Sequence, residues 1–251
     1  MATLDLDQVT VRYGRRGGAR PAVDAATATF GPGLHALLGP NGAGKSSLIR
    51  TIATLQKPSS GSVTFGGSGE IASIRRHLGH LPQENLGKSR FTVREHFAYM
   101  AWLRRLPKAQ TEAEVDRVIG LVRLGDRADT KIRALSGGMR RRVGIGSALI
   151  GQPGLVILDE PSAGLDVVQR GILRDITREV SRDAVVLVST HIIEDILDTA
   201  DTADTVTVID TGRIVWAGER GAFAPGAAPG DPGNLAAFER RSPTRWRCRG
   251  P

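Results

Sequence analysis

Cysteine is almost missing from the 251 residues: Cys248 is the only one, which excludes an internal disulfide framework and any zinc site built from several thiolates. No run of about 18 apolar residues occurs, so no membrane-spanning helix is expected. Aromatic residues make up only 4% of the chain, and acidic side chains number 26 against 34 basic ones. The opening MATLDLDQVT lacks the basic, then apolar, then small-residue series of a secretory leader, and a cytoplasmic protein is the expectation.

What is present describes a globular chain of one or two domains, 40% apolar and 24% charged. The net charge of +8 raises the question of a nucleic-acid or anionic-lipid partner. Half of it sits in residues 213–251, where seven arginines face Glu219, Asp231 and Glu239. Arginine supplies 29 of the 34 basic residues, which is as much a bias of composition as a sign of function.

Alternation predicts strands in LDLDQVTVRY and AVDAATATF, with a Gly/Arg turn, GRRGGAR, between them. GLHALLG is a short apolar strand running into PNGAGKSSLIRTIATL, where Leu48, Ile49, Ile52 and Leu55 fall at helical spacing. KPSSGSVTFGG predicts a turn and an edge strand, and HLGHLP a strand closed by Pro82. Residues 91–150 then read as a helical insertion, with TVREHFAYMAWLRRL and TEAEVDRVIGLVRL parted by Pro107. LVILDE, AVVLVST and DTVTVID return as apolar strands alternating with helices 167–180 and 192–200, the pattern of a parallel sheet with crossover helices. IVWAGE follows as a last short strand, and the Pro/Gly-rich stretch after residue 220 reads as a disordered linker.

Gly39-Pro40-Asn41-Gly42-Ala43-Gly44-Lys45-Ser46 matches G-x-x-x-x-G-K-[ST] between a strand and a helix. Glycines there let successive backbone N–H groups face an anion, and the helix start adds its positive end. Lys45 is placed to reach β- and γ-phosphates, and the Ser46 hydroxyl to bind Mg²⁺. Asp159 and Glu160 close a fully apolar strand, where open α/β sheets bind ligands. Asp159 suits the Mg²⁺ shell, and Glu160 suits the polarising of an attacking water.

Leu135-Ser136-Gly137-Gly138-Met139 stands about twenty residues before that acidic pair. This order resembles the ATP-binding subunits of ABC transporters over roughly residues 3–220. The resemblance implies an α/β phosphate-loop NTPase core with a mostly parallel sheet, an N-terminal antiparallel β subdomain and a helical insertion at about 91–150. Residues 1–220 then form the ATP-binding domain, and 221–251 a linker and basic tail. Tyr13 matches the aromatic that stacks on adenine, Ser47 follows the loop serine, and Gln83 matches the glutamine that touches Mg²⁺. Ser136, Gly137 and Gly138 match the signature that closes over ATP held by a second copy, and His191 the histidine at the γ-phosphate.

Two such chains, alike or paralogous, are therefore implied, lying head to tail and binding two ATP molecules. A transmembrane permease on a separate chain is also implied, received by segment 84–104 and leaving this subunit peripheral on the inner face of the membrane. Met139 stands where glutamine is commonest, Val167 where proline is usual, and Ser47 and Ser162 where threonine is common. None of these replaces Lys45, Asp159, Glu160 or His191. FTVREH and the run Arg140-Arg141-Arg142 look most like cassettes serving ABC-2 exporters. An importer subunit, or a soluble ABC ATPase acting on nucleic acid or the ribosome, are the alternatives. Only 89 residues stand between Ser46 and Ser136, too few for the long coiled coils common in the nucleic-acid group, and no nucleic-acid partner is expected. His35, His77, His80 and His96 match no family position and take ordinary roles. The tail RRSPTRWRCRGP is read as a disordered end before a lipid contact.

Overall fold

The computed structural model describes residues 2–14, 20–84, 87, 89–190 and 203–223. The expected helix 192–200, His191, most of the GRRGGAR turn and the tail beyond residue 223 lie outside the described residues.

Strands β1 (Leu4–Val11), β2 (Val23–Phe30) and β4 (Ser60–Phe65) form an antiparallel sheet in the order β2-β1-β4. A six-stranded sheet runs β5 (Leu78–Leu81), β6 (Leu155–Asp159), β7 (Val185–Thr190), β3 (Gly33–Leu38), β8 (Thr205–Asp210) and β9 (Arg213–Glu219). The first five are mutually parallel, and β9 returns antiparallel across the Thr211-Gly212 turn. Both faces of this sheet are covered, which is why β3, β6 and β7 read as unbroken apolar runs.

The period of two still shows in where each side chain goes. Leu34, Ala36, Leu38, Val156, Leu158, Val186 and Val188 join one core, shared with the helical layer. Leu37, Leu155, Ile157, Val185 and Leu187 join another, shared with the antiparallel sheet and helix α1 (Lys45–Ile52). A buried Leu or Ile stabilises by roughly 1.5–3 kcal/mol. Polar Ser189 and Thr190, fully enclosed at the end of β7, give up that contribution and so point to chemistry at the strand ends.

Between β4 and β5 a short helix α2 (Ile71–His77) appears that the sequence pattern did not reveal, since only Ile74 of its residues is buried. From β5 to β6 the chain is helical: α3 (Val93–Leu103), α4 (Lys108–Leu121) and α5 (Gly137–Leu149). Helix α3 starts on a capping box, with Thr92 Oγ1 accepting from Glu95 N and the Glu95 carboxylate accepting from Thr92 N. Phe97 on α3 is wholly buried against Gly146 of α5. Helix α6 (Val167–Val180) is capped by Asp166, which accepts from Gln169 N at 2.8 Å. Helix α1 stops three residues short of the predicted Leu55. Thr54 turns left-handed at φ 58°, and Leu55 is left exposed.

Two histidines, His35 and His96, are buried in these layers, and His80 is partly buried. His35 meets the Gly31 carbonyl through Nε2 and Thr205 Oγ1 through Nδ1, both at 2.7 Å, a pattern the neutral ring satisfies with Nε2 protonated. Burial pulls the pKa of His35, His80 and His96 below the ordinary 6.5. The unfolded chain then takes up protons that the folded chain refuses, so stability falls as pH drops through about 6.5. Urea unfolding midpoints should be lower at about pH 5.5 than at about pH 8, and His35→Gln should flatten part of that slope. A midpoint that rises on acidification would contradict the assignment.

Candidate functional site

The loop Gly39–Ser46 leaves the C-terminal end of β3, the middle strand between β7 and β8, and its Lys45-Ser46 pair opens α1. Ala43 N closes the turn on Pro40 O at 3.1 Å. From behind, the β8–β9 turn braces it: Gly212 N donates to Ala43 O at 2.8 Å, and Asp24 N to Gly212 O at 2.7 Å. Arg213 pairs with Asp24 at 2.6 Å and fixes that turn to β2. Gly44 caps α1 at φ 107°, and a Cβ there would run into the Ala22 carbonyl. Gly42, at φ 81°, has open space around the same position.

Lys45 is only 6% exposed, and its Nζ reaches back across the loop to the carbonyls of Gly39 (2.5 Å) and Pro40 (3.2 Å). Burial pulls its ammonium pKa down, while the nearby carboxylates of Glu160 and Asp159 act in the opposite direction. The strand order delivers those acids, because β6 ends beside β7 with Asp159 in register with Ser189. Ser189 Oγ donates to Asp159 Oδ1 at 2.5 Å and accepts from Glu160 N at 3.0 Å. Glu160 itself is left-handed at φ 49°, a costly conformation for a residue with a Cβ, held by Ser189 on one side and by Arg141 on the other.

Arg141 of α5 is buried, and its guanidinium donates to the carbonyls of Asp159, Glu160, Pro161, Pro82 and Gln83. Gln83 thus stands beside the acidic pair through its backbone. Tyr13 is half exposed at the rim, with its hydroxyl 3.1 Å from Ser47 Oγ and 3.0 Å from Gln56 Oε1. Gln56 Nε2 in turn donates to the Ser47 carbonyl at 2.9 Å, so the ring is tied to the helix that leaves the loop.

The Leu135–Met139 segment leads into α5. Ser136 caps α5 by accepting from Met139 N at 3.2 Å, and Gly138 is buried beside the Gln169 side chain of α6. One chain therefore brings Tyr13 to Ser47 and Lys45 to Asp159 and Glu160, with the Gln83 backbone beside the acids, whereas Ser136, Gly137 and Gly138 form the start of α5, packed toward Gln169 of α6. His191 falls outside the described residues.

Sequence reading missed Ser189, Gln56 and Arg141. Ser189 has a signal, a hydroxyl ending the apolar AVVLVST in the strand next to an acid. Arg141 has one too. It lies on a helix rich in glycine and aliphatic residues that is enclosed from Arg141 to Gly146. Arg142 is its neighbour there and donates to the carbonyls of Val122 and Arg123, locking the end of α4.

A phosphate loop on a parallel sheet, with a lysine and an acidic strand end converging on it, defines a nucleotide-binding cassette of the phosphate-loop class. The chain belongs to the ABC transporter family, whose model matches residues 27–163. It is 35% identical over 215 residues to the Nod factor export ATP-binding protein I of Rhizobium meliloti, covering 84% of this chain and 62% of that protein. It is also 35% identical over 184 residues to an uncharacterized ABC transporter ATP-binding protein, YxlF, of Bacillus subtilis, covering 73% and 61%. The chain thus spans about three fifths of the length of these two relatives. In fold it resembles the solved ATP binding subunit of an ABC transporter, with a TM-score of 0.80 at 24% identity over 95% of this chain and 98% of that one. A dimeric bacterial ABC transporter cassette follows at 0.74 and 21%, over 86% and 98%.

The two inner glycines of the loop separate by experiment. Gly44→Ala should destabilise by more than about 2 kcal/mol, combining left-handed strain with a backbone clash. Gly42→Ala should cost only about 1–2 kcal/mol, the left-handed term alone. Chemical unfolding of the two variants checks the order, and equal losses would count against the bracing of Gly44 by Ala22.

Proposed function

We propose that this chain binds ATP with Mg²⁺ at the Gly39–Ser47 loop, hydrolyses it in a head-to-tail pair of cassettes, and drives export through a permease on a separate chain. The observation that carries the reading is the convergence of Lys45 with Asp159 and Glu160 at the carboxyl ends of β3 and β6. In this reading residues 1–220 are the cassette, with residues 91–150 its helical subdomain.

Lys45 Nζ, now shared between two loop carbonyls, exchanges them for phosphate oxygens of the nucleotide. Backbone N–H groups of the loop and the start of α1 take the β-phosphate, and Tyr13 offers its half-exposed ring to the base. Ser46, Gln83 and Asp159 offer the hard oxygen donors that magnesium takes. When bound, the ion neutralises phosphate charge. Ser189 keeps Asp159 Oδ1 engaged and so fixes the direction of Oδ2.

Glu160 has its backbone anchored on both sides, so its carboxylate can accept a proton from an attacking water without the strand end shifting. His191 is assigned to the γ-phosphate by the family motif alone.

A pair of chains is supported by the dimeric state of a cassette of the same fold, and by the family motif, in which Ser136, Gly137 and Gly138 close over nucleotide held by a second copy. Export is supported by the name of the Rhizobium meliloti relative. A permease docked on this subunit at the inner membrane face is supported by one feature. The start of the helical layer carries an exposed aromatic row, with Phe91 5.8 Å from Tyr99, Tyr99 stacked 5.8 Å from Trp102, and Trp102 69% exposed.

Glu160→Gln should keep ATP affinity near the parent's, lose turnover by at least about 100-fold, and accumulate an ATP-dependent dimer in size-exclusion chromatography. Lys45→Ala should lose nucleotide binding itself. Parent-like hydrolysis by Glu160→Gln would remove that residue from the chemistry. For the aromatic row, Trp102→Ala should shift stability by no more than about 0.5 kcal/mol yet weaken co-purification with the permease from membranes. Undiminished co-purification would exclude this face as the docking surface.

A further inference from the structure

Arg141 departs from the usual habits of a buried arginine. It is 3% exposed, and among the described residues its hydrogen bonds go to backbone carbonyls rather than to a carboxylate. Its five N–H groups are matched by five backbone carbonyls. Nη2 donates to Asp159 O (2.9 Å) and Glu160 O (2.7 Å), Nη1 to Pro82 O and Gln83 O (both 3.2 Å), and Nε to Pro161 O (3.2 Å). These carbonyls belong to two segments far apart in sequence, the end of β5 and the end of β6. The arginine comes from a third, the helix that Ser136 caps.

We infer that Arg141 is a positioning residue for hydrolysis, setting the Gln83 and Glu160 backbones at a fixed spacing from each other and from the signature helix α5. The inference rests on the proposed ATP hydrolysis. Glu160 is left-handed, so its carbonyl is turned out of the β6 ladder and needs a donor from outside the sheet. Ser189 holds the N–H side of that residue and Arg141 the carbonyl side. With both peptide groups fixed, the carboxylate has only its own torsions left to search. Glutamine has two N–H groups and lysine three around a tetrahedral nitrogen, so neither spans carbonyls from two segments as the planar five-donor fork does. Asp159 and Glu160 also supply the negative charge that makes burying the guanidinium tolerable.

The test uses the full chain, with Arg141→Lys and Arg141→Met compared with the parent and with Lys45→Ala as the inactive control. Folded fraction is read from thermal unfolding, nucleotide affinity from titration with Mg-ATP, and turnover from phosphate release. The expected result is an ATP affinity within about twofold of the parent, because the loop is untouched. Turnover per folded molecule should fall by at least about tenfold, without rescue by lysine. Parent-like turnover per folded molecule in either variant overturns the inference, leaving Arg141 as packing alone.

Should both variants fail to fold, the guanidinium N–H resonances of Arg141 in the parent decide. They should be protected from exchange and should shift when Mg-ATP is added, and unprotected or unmoved signals overturn the inference. A parent no more active than Lys45→Ala overturns the hydrolysis reading itself, whereas an active parent matched by its Arg141 variants overturns only this one.

Discussion

Four buried charges at the ends of β3, β6 and α5 set the conditions for everything around them. Lys45 and Arg141 are cations, Asp159 and Glu160 are anions, and each is less than a tenth exposed. An isolated ion taken from water costs several kcal/mol even after relaxation, so none of the four is tolerable alone. Together they sum to zero charge, two of the three ammonium donors of the lysine meet loop carbonyls, and all five guanidinium donors of the arginine meet strand-end carbonyls. The parallel sheet makes the arrangement possible, because only a sheet covered on both faces can bring two acids and a lysine to one dry edge from segments more than a hundred residues apart.

That dependence explains what was legible in the sequence. Strands β3, β6, β7 and β8 announce themselves because a sheet buried on two faces demands continuous apolar runs, and the loop announces itself because a phosphate cradle needs glycine at set positions. Helix α2 leaves almost no trace, since it buries one side chain and obeys no stripe. The end of α1 was misjudged for the complementary reason. Leu55 keeps the helical spacing, but Gln56 bonds back to Ser47 and Thr51, which turns the chain and leaves that leucine outside. Periodicity records which side chains share a face and is blind to where a backbone hydrogen bond is replaced by a side-chain one.

In the candidate site the division is similar. The motif residues proposed to face a ligand stand in a recognisable order, whereas the side chains that hold them, Ser189, Gln56 and Arg141, do not, because a supporting hydroxyl or guanidinium has no fixed spacing from its client. Arg141 is instructive, since in the linear sequence it is one of three adjacent arginines. The helix parts them: Arg140 donates to the Leu135 carbonyl, Arg141 to the strand ends, and Arg142 to the end of α4. A run that resembles a basic patch is three separate fasteners, two of them buried.

The same point bears on the net charge of +8. Nucleic-acid binding by electrostatics needs cations that are exposed and clustered on one face, since counterion release is the driving force. The cations that organise this cassette are withdrawn from solvent and engaged with backbone oxygen, and Arg94, Arg123 and Arg213 are each paired with an aspartate. Arg141 stands beside Asp159 and Glu160, so its charge is offset within the fold and adds little to the potential that a polyanion outside would feel. Lys45 is the exception by position rather than by exposure: its ammonium rests on two carbonyls of the Gly39–Ser46 loop, and in the proposed function the attraction it exerts is directed at a nucleotide phosphate rather than at the backbone of a polyanion.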